Sequence, residues 1–441
     1  MLRRRTNATW IGLLGAFALG GCADQQGPTA ATAKPRPAPS FAEAMSEARL
    51  PGHGSFARYV AVGTSISMGV SGDGVVGSSQ AAAWPAQLAQ LLGRPFTIPS
   101  IDAPGCGAGL VGPLASGLRA SGEGAGRPDD ATAVCAPNSA GVTLPTNNVA
   151  LDGARTSDAL FSTIETYPGT LRAGEYSRVL PSGYSQVTAM LVQRPRMVSI
   201  ELGGNELLGV RRGVYSPVVV EPLPRFKILY SLVLGAVSLS AKEVVLVGLV
   251  RDAGKFPSFR TGQELWDARA TFLPFNVVVS EDCGTTNATN ELFVPVRVPI
   301  AIATGVGQAQ AGAGPYTLSC VNAPSSTGIE DYVPTADEMG KVNAQLAEMN
   351  AFIRDQAHRH GWTYFELEDL YGRADLKPPF NAIAMMTDPA TPYGPYISLD
   401  GIHPNAAGHL ILTTAAAAAA LQAQYGGVAF SVARRALRVV R

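Results

Sequence analysis

The sequence has no excess of charge of either sign, because 34 lysines and arginines balance 34 aspartates and glutamates. A balanced chain gives no reason to expect nucleic acid or an acidic polymer as a partner. Hydrophobic residues make up 46% of the sequence, which is enough for a sizeable core. Glycine and proline are abundant at 48 and 32 residues, so we expect many turns and long loops.

Long apolar runs and several common motifs are also missing. After the N-terminus we find no apolar stretch of the roughly 20 residues that a transmembrane helix needs. The nearest stretch, residues 228–240, is closed off by Lys227 and Lys242. The GxSxG, HExxH and P-loop patterns are absent. Residues 107–112 fit GxGxxG, but no strand precedes them. We therefore expect no cofactor and no metal.

The N-terminus predicts export. Residues 3–5 are arginines, and an uncharged apolar run follows over residues 10–19. This run is too short to span a bilayer and has the form of a signal-peptide core. It ends in LGGC, which resembles the lipobox of bacterial lipoproteins, whose cysteine is acylated and becomes the first mature residue. Here that cysteine is Cys22. An ordinary secretory signal with an incidental cysteine is the alternative.

The lipobox resemblance implies a lipid-anchored protein of the bacterial cell envelope that faces the periplasm or the exterior. We expect residues 1–21 to be a signal peptide and residues 22–50 a tether, rich in alanine, proline, threonine and glutamine. One decorated domain would cover residues 51–430, and a tail residues 431–441. The sequence leaves the oligomeric state open.

Four cysteines remain besides Cys22, namely Cys106, Cys135, Cys283 and Cys320. An even number in an oxidising compartment predicts disulfides, and four cysteines allow three connectivities. Since the cysteines fall into two separate loop-rich stretches, we favour the pairs Cys106–Cys135 and Cys283–Cys320. Four free buried thiols are the alternative. The spacings contain no CxxC pair and no histidine at ligand spacing, so a zinc site is not expected.

Apolar runs alternate with segments of helical periodicity along the chain. Continuous apolar strands that alternate with helices predict an α/β fold with a parallel sheet covered on both faces. The predicted strands lie at residues 58–63, 197–202, 243–250 and 363–367. The predicted helices lie at residues 81–92, 184–193, 222–239, 335–357 and 404–425.

The helix at residues 335–357 has the clearest signal, because Thr335 and Glu338 form a capping box ahead of one apolar stripe. Two stretches break the alternation, residues 99–148 and 253–334. Each contains one of the cysteine pairs. We therefore predict two insertions, each closed by its own disulfide.

Polar motifs follow the carboxyl ends of the predicted strands, where doubly wound sheets form their active sites. Ser65 follows the first strand in GTSIS, Gly153 lies in DGAR, and Asn205 follows another strand in GGNE. Asp400 and His403 lie in DGIHP at the last helix. A serine nucleophile needs a base, and a histidine base works best when a carboxylate fixes its tautomer. One tight turn would place Asp400 against Nδ1 of His403 and leave Nε2 for Ser65.

These motifs, in this order, resemble blocks I, II, III and V of the SGNH (GDSL-type) hydrolases. The resemblance spans roughly residues 58–425 and implies a flavodoxin-like three-layer α/β/α sandwich around a parallel sheet of about five strands. It also implies a serine esterase or lipase with Ser65 as nucleophile, His403 as base and Asp400 as its partner. The implied oxyanion hole consists of the backbone N–H groups of Ser65 and Gly153 and the side chain of Asn205.

Two positions depart from the family pattern. Thr64 stands where block I has an aspartate, which leaves the support of the nucleophile turn open, and Glu206 ends block III. Each motif taken alone also fits a structural role. The leading expectation is a hydrolase of carboxylic esters, and the alternative is a surface-anchored binding module that keeps the fold and has lost catalysis. The ester could be a lipid, an acylated sugar or a small molecule.

Overall fold

The computed structural model of the chain describes residues 58–126, 133–323 and 331–425. The predicted signal peptide, Cys22, the tether and the C-terminal tail lie outside the described residues. Export and lipidation therefore stay predictions.

A parallel sheet of four strands, ordered β1-β2-β3-β8, forms the centre of the molecule. All four strands were predicted within two residues of their bounds. Two small sheets, β4 with β6 and β5 with β7, lie in the second insertion. The strands are β1 (Tyr59–Gly63), β2 (Met197–Glu201), β3 (Glu243–Gly248), β4 (Phe259–Thr261), β5 (Val277–Val279), β6 (Glu291–Phe293), β7 (Tyr316–Leu318) and β8 (Thr363–Glu366).

Residues 147–151 occupy a fifth position, beside β1. Ala61 N–H donates to the Asn147 carbonyl at 2.9 Å, and Val149 N–H donates back to the Ala61 carbonyl at 2.9 Å. Leu151 N–H donates to the Gly63 carbonyl at 3.2 Å. Counted as the second strand in the chain, this segment gives the order 2-1-3-4-5, which is flavodoxin-like. The predicted parallel α/β architecture is confirmed.

Helices cover both faces of the sheet, so the fold has three layers. The helices α4, α6, α7 and α10 pack together on one face, and α3 and α13 pack on the other. The helices among the described residues are α1 (Ser65–Met68), α2 (Gly77–Ala82), α3 (Trp84–Leu91), α4 (Thr156–Phe161), α5 (Leu171–Val179), α6 (Gln186–Val192), α7 (Leu223–Ser238), α8 (Gly262–Asp267), α9 (Val294–Gln310), α10 (Ala336–His360), α11 (Glu368–Tyr371), α12 (Ala382–Thr387) and α13 (Ala406–Tyr425).

Helix α10 confirms the capping prediction. The Thr335 hydroxyl accepts a hydrogen bond from the Glu338 N–H at 3.2 Å, and the Glu338 carboxylate accepts the Thr335 N–H at 2.8 Å. The predicted apolar stripe is buried against the sheet. The capping box therefore sets the start of α10, and the stripe sets the face that it buries.

Two helix predictions need correction. The helix expected at residues 81–92 is two helices, because Ala83 is extended and Pro85 starts α3 in its first turn. The last helix begins at Ala406 and not at Pro404. Asn405 is the cap, since its side-chain oxygen accepts the N–H groups of residues 407 and 408 at 3.0 and 3.1 Å.

Helix α13 also corrects the expectation about apolar length. Among the described residues, the window Ala406–Ala423 is long and apolar enough to cross a membrane by length and composition alone. About 33% of that window is buried within the protein. Its inner face, which includes Leu412 and Ala416, packs on α3 and β8. The alanine-rich sequence suits this close packing.

The two disulfides form with the predicted pairing. Cys106 bonds to Cys135 and Cys283 to Cys320, with Cα–Cα distances of 3.8 and 5.0 Å. Each bond lies within one of the two predicted insertions. Loops of 29 and 37 residues closed in this way each gain about 3–4 kcal/mol in the chain-entropy description. Each disulfide therefore limits the freedom of its insertion in the unfolded chain, and the second one spans β6, residues 294–310 and β7.

Candidate active site

The candidate site lies where the order of the sheet reverses. After β1 the chain forms the edge segment 147–151 on one side, and it then crosses to β2 on the other. The carboxyl ends of these three segments lead into Ser65, Gly153 and Asn205. Such a switch point opens a crevice beyond the strands, which is where doubly wound sheets bind ligands.

The turn before α13 joins Asp400 to His403. The Asp400 Oδ2 atom lies 2.9 Å from Nδ1 of His403, and Oδ1 accepts the N–H groups of Ile402 and His403 at 2.8 Å each. Gly401 has a left-handed φ of 77°, which glycine adopts without strain. A Cβ at Gly401 would lie 2.9 Å from the Tyr393 ring. The three-residue spacing thus forms the tight turn that the sequence suggested.

Two further groups hold the Asp400 carboxylate. The Ser398 hydroxyl donates to Oδ2 at 3.0 Å, and the Asp73 N–H donates to the same oxygen at 2.7 Å. Sequence reasoning missed both, because neither belongs to one of the motifs. Asp73 is also 327 residues away from Asp400 along the chain. With these donors the orientation of the Asp400 carboxylate does not depend on His403 alone.

Charge and burial act in opposite directions on this pair. Burial alone would lower the pKa of His403, but the negative charge and hydrogen bond of Asp400 raise it to about 9, with Asp152 and Asp73 adding to the effect. Burial would raise the pKa of Asp400, but the charge and hydrogen bonds of His403 lower it to about 2. His403 is therefore a stronger base than a histidine in water.

Ser65 is the first residue of α1, directly after the extended cap residue Thr64. Among the described residues, none forms a hydrogen bond with the Ser65 N–H or hydroxyl. Ser65, Asn205 and His403 line the same pocket. The structure thus brings three of the predicted residues to one cavity, and Asp400 joins them through His403.

A buried carboxylate supports the turn that carries Ser65. Glu201, the last residue of β2, is 1% exposed. It accepts the Thr64 N–H at 3.0 Å and the Thr64 hydroxyl at 2.8 Å. It also accepts the Ser67 hydroxyl at 3.0 Å, and the Trp84 indole N–H donates to that hydroxyl at 3.1 Å. Thr64, which replaces the aspartate of the family pattern, is therefore a donor to a carboxylate on the neighbouring strand.

Sequence reasoning did not find Glu201, although a signal was present. Glu201 is the one charged residue in the otherwise apolar strand MVSIEL, and a buried charge needs partners. Burial raises the pKa of Glu201, while hydrogen bonds from Thr64 and Ser67 oppose that shift. The donors of Thr64 and Ser67 thus stabilise the buried carboxylate, and the carboxylate in turn holds the turn that carries Ser65.

Replacing Glu201 by glutamine tests this support. The amide turns one acceptor into a donor, so Thr64 and Ser67 lose part of their partner, at about 1–3 kcal/mol for unsatisfied buried groups. We expect a lower Tm, a kcat about tenfold lower and an unchanged KM for a small ester. Glu243→Gln, at the amino end of the next strand, is the matched control and should leave kcat unchanged. Equal kcat in wild type and Glu201→Gln would contradict the role.

Gly153 and Asn205 are connected through Ala154, the residue that follows Gly153. The Asn205 side-chain N–H donates to the Ala154 carbonyl at 3.0 Å, which leaves its second N–H for another acceptor. Gly153 has a left-handed φ of 61°, and its carbonyl accepts from Arg172 at 3.1 Å. Among the described residues, none accepts the Gly153 N–H. Gly153 does not line the pocket itself.

Glu206, the second departure from the family pattern, also has a structural explanation. Its buried carboxylate accepts the N–H and hydroxyl of Thr156 at 2.7 and 2.5 Å. Burial raises the pKa of Glu206, and the bonds from Thr156 oppose the shift. Glu206 thereby ties the loop after β2 to the start of α4. This bond holds Asn205 and Gly153 in one arrangement.

His409 lies near the site but does not belong to the pocket. Its Nδ1 atom accepts the Trp84 N–H at 3.3 Å, and burial lowers its pKa to about 3. A neutral histidine that accepts a backbone N–H is part of the packing between α13 and α3.

No model of a protein family matches the sequence, and no curated protein is similar to it. Among solved structures, the chain is similar to an extracellular lipase from Streptomyces rimosus, at 16% identity over 81% of this chain and 99% of that chain, with a TM-score of 0.31. It is also similar to a variant of an acetyl-xylooligosaccharide esterase from Geobacillus Stearmophilus, at 12% identity over 84% and 94%, with a TM-score of 0.30. Similarity at this level carries no information about function.

Proposed function

We propose that the protein hydrolyses carboxylic esters through an acyl-enzyme on Ser65. The observation that carries this proposal is the Asp400–His403 hydrogen bond of 2.9 Å beside a pocket that Ser65 and His403 both line. A carboxylate on Nδ1 fixes the histidine tautomer whose Nε2 accepts a proton. This arrangement places a base in the same pocket as a serine hydroxyl that has no hydrogen-bond partner among the described residues.

The reaction would proceed in two halves. Ser65 Oγ attacks the ester carbonyl while His403 Nε2 takes its proton, and the imidazolium then gives that proton to the leaving alcohol. Water next attacks the acyl-enzyme with His403 again as base, which releases the acid and frees Ser65. Asp400 keeps its negative charge throughout and stabilises the imidazolium.

The oxyanion would bind three donors. These are the N–H groups of Ser65 and Gly153 and the second amide N–H of Asn205. Their availability supports the assignment, since no described residue accepts the two backbone N–H groups. Donors that are already fixed need no reorganisation when charge develops on the carbonyl oxygen. Glu201 and Glu206 would hold these donors in place from the carboxyl end of β2.

Labelling tests the proposal most directly. A fluorophosphonate probe should modify wild-type protein at Ser65, as located by peptide mass spectrometry, and Ser65→Ala should not be labelled. A panel of p-nitrophenyl esters should be hydrolysed by the same preparation. A folded protein that neither reacts with the probe nor hydrolyses any ester would instead support the binding-module alternative.

The pH dependence follows from the raised pKa of His403. Only the neutral imidazole accepts a proton, so kcat/KM should rise tenfold per pH unit and level off near pH 9. Asp400→Asn removes the charge that raises the pKa, so its profile should turn at lower pH while its maximal rate falls. The profile is measured after subtraction of spontaneous hydrolysis, with the NMR titration of His403 as a second readout. A plateau that already begins at pH 7 would contradict the assignment.

We also propose that acylated Cys22 holds the protein at a membrane of the bacterial envelope. The LGGC motif and the following tether support this. Two or three acyl chains bind firmly, at about 0.8 kcal/mol for each buried CH₂. Cys22→Ser should therefore move the protein to the soluble fraction, whereas Gln25→Ser in the tether should leave it with the membranes. Unchanged fractionation of Cys22→Ser would refute the anchor.

A further inference from the structure

The pocket beside Ser65 has an almost entirely apolar wall. Apart from the residues already assigned to the site, aliphatic and aromatic side chains line it. They come from the ends of β2 and β3, from α10 and from the second insertion. They include Leu207, Leu208, Leu249, Phe256, Phe259 and Leu346.

The second insertion builds one side of this wall. Ala253, Phe256 and Phe259 line the pocket, although they belong to the stretch that breaks the strand–helix alternation. Phe259 packs on Phe293 with ring centroids 5.4 Å apart, and Phe256 lies 4.6 Å from the Tyr371 ring. Because these rings are held from behind, the wall is a packed surface with a definite shape.

The pocket also has little that could hold a polar or charged group. Of its lining residues, only Glu201 and His403 are ionisable, and no lysine or arginine is among them. Both Glu201 oxygens already accept hydrogen bonds from Thr64. A sugar hydroxyl placed against this wall would lose its water without gaining a partner, at a cost of about 2–7 kcal/mol, and an ionised carboxylate would lose more.

Chemistry decides which half of the ester the pocket takes. The acyl group stays bonded to Ser65 until water releases it, whereas the alcohol must reach His403 for its proton and then leave. The pocket has both Ser65 and His403 in its wall, and the group that remains there through both half-reactions is the acyl group. We propose, on the basis of the proposed ester hydrolysis, that this pocket selects uncharged apolar acyl groups longer than acetyl.

The chain-length series measures this preference. Each CH₂ moved from water to an apolar wall contributes about fourfold in kcat/KM, so p-nitrophenyl butyrate, with two more CH₂ groups, should exceed the acetate by about fifteenfold. The half-ester p-nitrophenyl succinate, which carries a carboxylate on a chain of the same length as butyrate, should fall at least tenfold below butyrate. Both comparisons use one protein preparation at one pH.

Variants then locate the preference in this wall. Ala253→Leu adds three carbons at the pocket surface and should lower the butyrate-to-acetate ratio at least fivefold. Leu208→Ala opens the wall and should raise the octanoate-to-butyrate ratio, which keeps the test decisive if Ala253→Leu fails to fold. The matched control is Ala270→Leu, the same substitution at an exposed position of the same insertion, outside the pocket. It should leave both ratios unchanged.

The outcomes separate the two proposals. Failure of the fluorophosphonate to label Ser65, with no ester hydrolysed, would overturn the proposed function itself. Labelling of Ser65 with acetate or succinate hydrolysed as well as butyrate would overturn only the acyl assignment. The same holds if labelling is normal and Leu208→Ala changes no ratio.

Discussion

Ser65→Ala and His403→Ala are each expected to lower kcat for p-nitrophenyl butyrate by about 10⁴-fold or more. The first variant has no nucleophile, and the second leaves the Ser65 hydroxyl without the base that its high pKa requires. Because the two side chains carry out one proton transfer together, the double variant should be no more than severalfold slower than either single variant. Steady-state kinetics on purified, folded variants at known protein concentration measure all three.

The controls use the same substitutions at exposed positions. Ser231→Ala on α7 and His358→Ala at the end of α10 remove a hydroxyl and an imidazole far from the pocket. Both should keep wild-type kcat. If ester hydrolysis survives in Ser65→Ala at more than a few per cent of wild type, Ser65 is not the nucleophile. If the losses in the double variant multiply, the two residues do not act as one unit.

The central sheet could be predicted from the sequence because its strands are continuous apolar runs. Tyr59–Gly63 and Met197–Glu201 are buried at every position, so burial alone makes them visible. The edge segment 147–151 has the same role but begins with two asparagines, and Asn148 uses its side chain to reach the Ser67 carbonyl at 2.8 Å. Its polar start placed its first two residues in the predicted insertion, and no strand was predicted here, whereas its hydrogen bonds place it beside β1.

The site was predictable where the chemistry is local along the chain. Asp400 and His403 are three residues apart, so one tight turn brings their side chains together and the spacing alone predicts the contact. The contacts of Glu201 with Thr64 cross 137 residues, and those of Glu206 with Thr156 cross 50. No local sequence motif predicts such a long-range contact, because each partner taken alone fits many structural roles. The structure shows that both unusual positions of the pattern, Thr64 and Glu206, belong to buried carboxylate clusters.

These two clusters share one strand end. Glu201 closes β2 and holds the serine turn, and Glu206 follows in the next loop and holds the start of α4. Asn205 lies between them. A shift at either carboxylate would therefore move the amide relative to Ser65 or to Gly153. This gives a structural reason for two ionisable residues to be buried at a place where apolar side chains would cost less.

Asn205→Ala is the second large effect that we expect. Its free amide N–H would meet the oxyanion only in the transition state, so kcat should fall by about 10²–10³-fold while KM changes little. The bond to the Ala154 carbonyl is lost as well, and Asn381→Ala controls for such a loss, because it removes one side-chain hydrogen bond at the cap of α12. That control should keep wild-type kcat.

The rate of fluorophosphonate labelling separates catalysis from loop support in Asn205→Ala. Attack on phosphorus also places negative charge in the oxyanion hole, so labelling at Ser65 should slow together with kcat. A purely structural role would lower the Tm and leave both rates within severalfold of wild type. Since Glu206 holds the loop independently through Thr156, we expect the Tm of Asn205→Ala to stay close to that of Asn381→Ala. Unchanged kcat and labelling would remove Asn205 from the oxyanion hole and leave that role to the two backbone N–H groups.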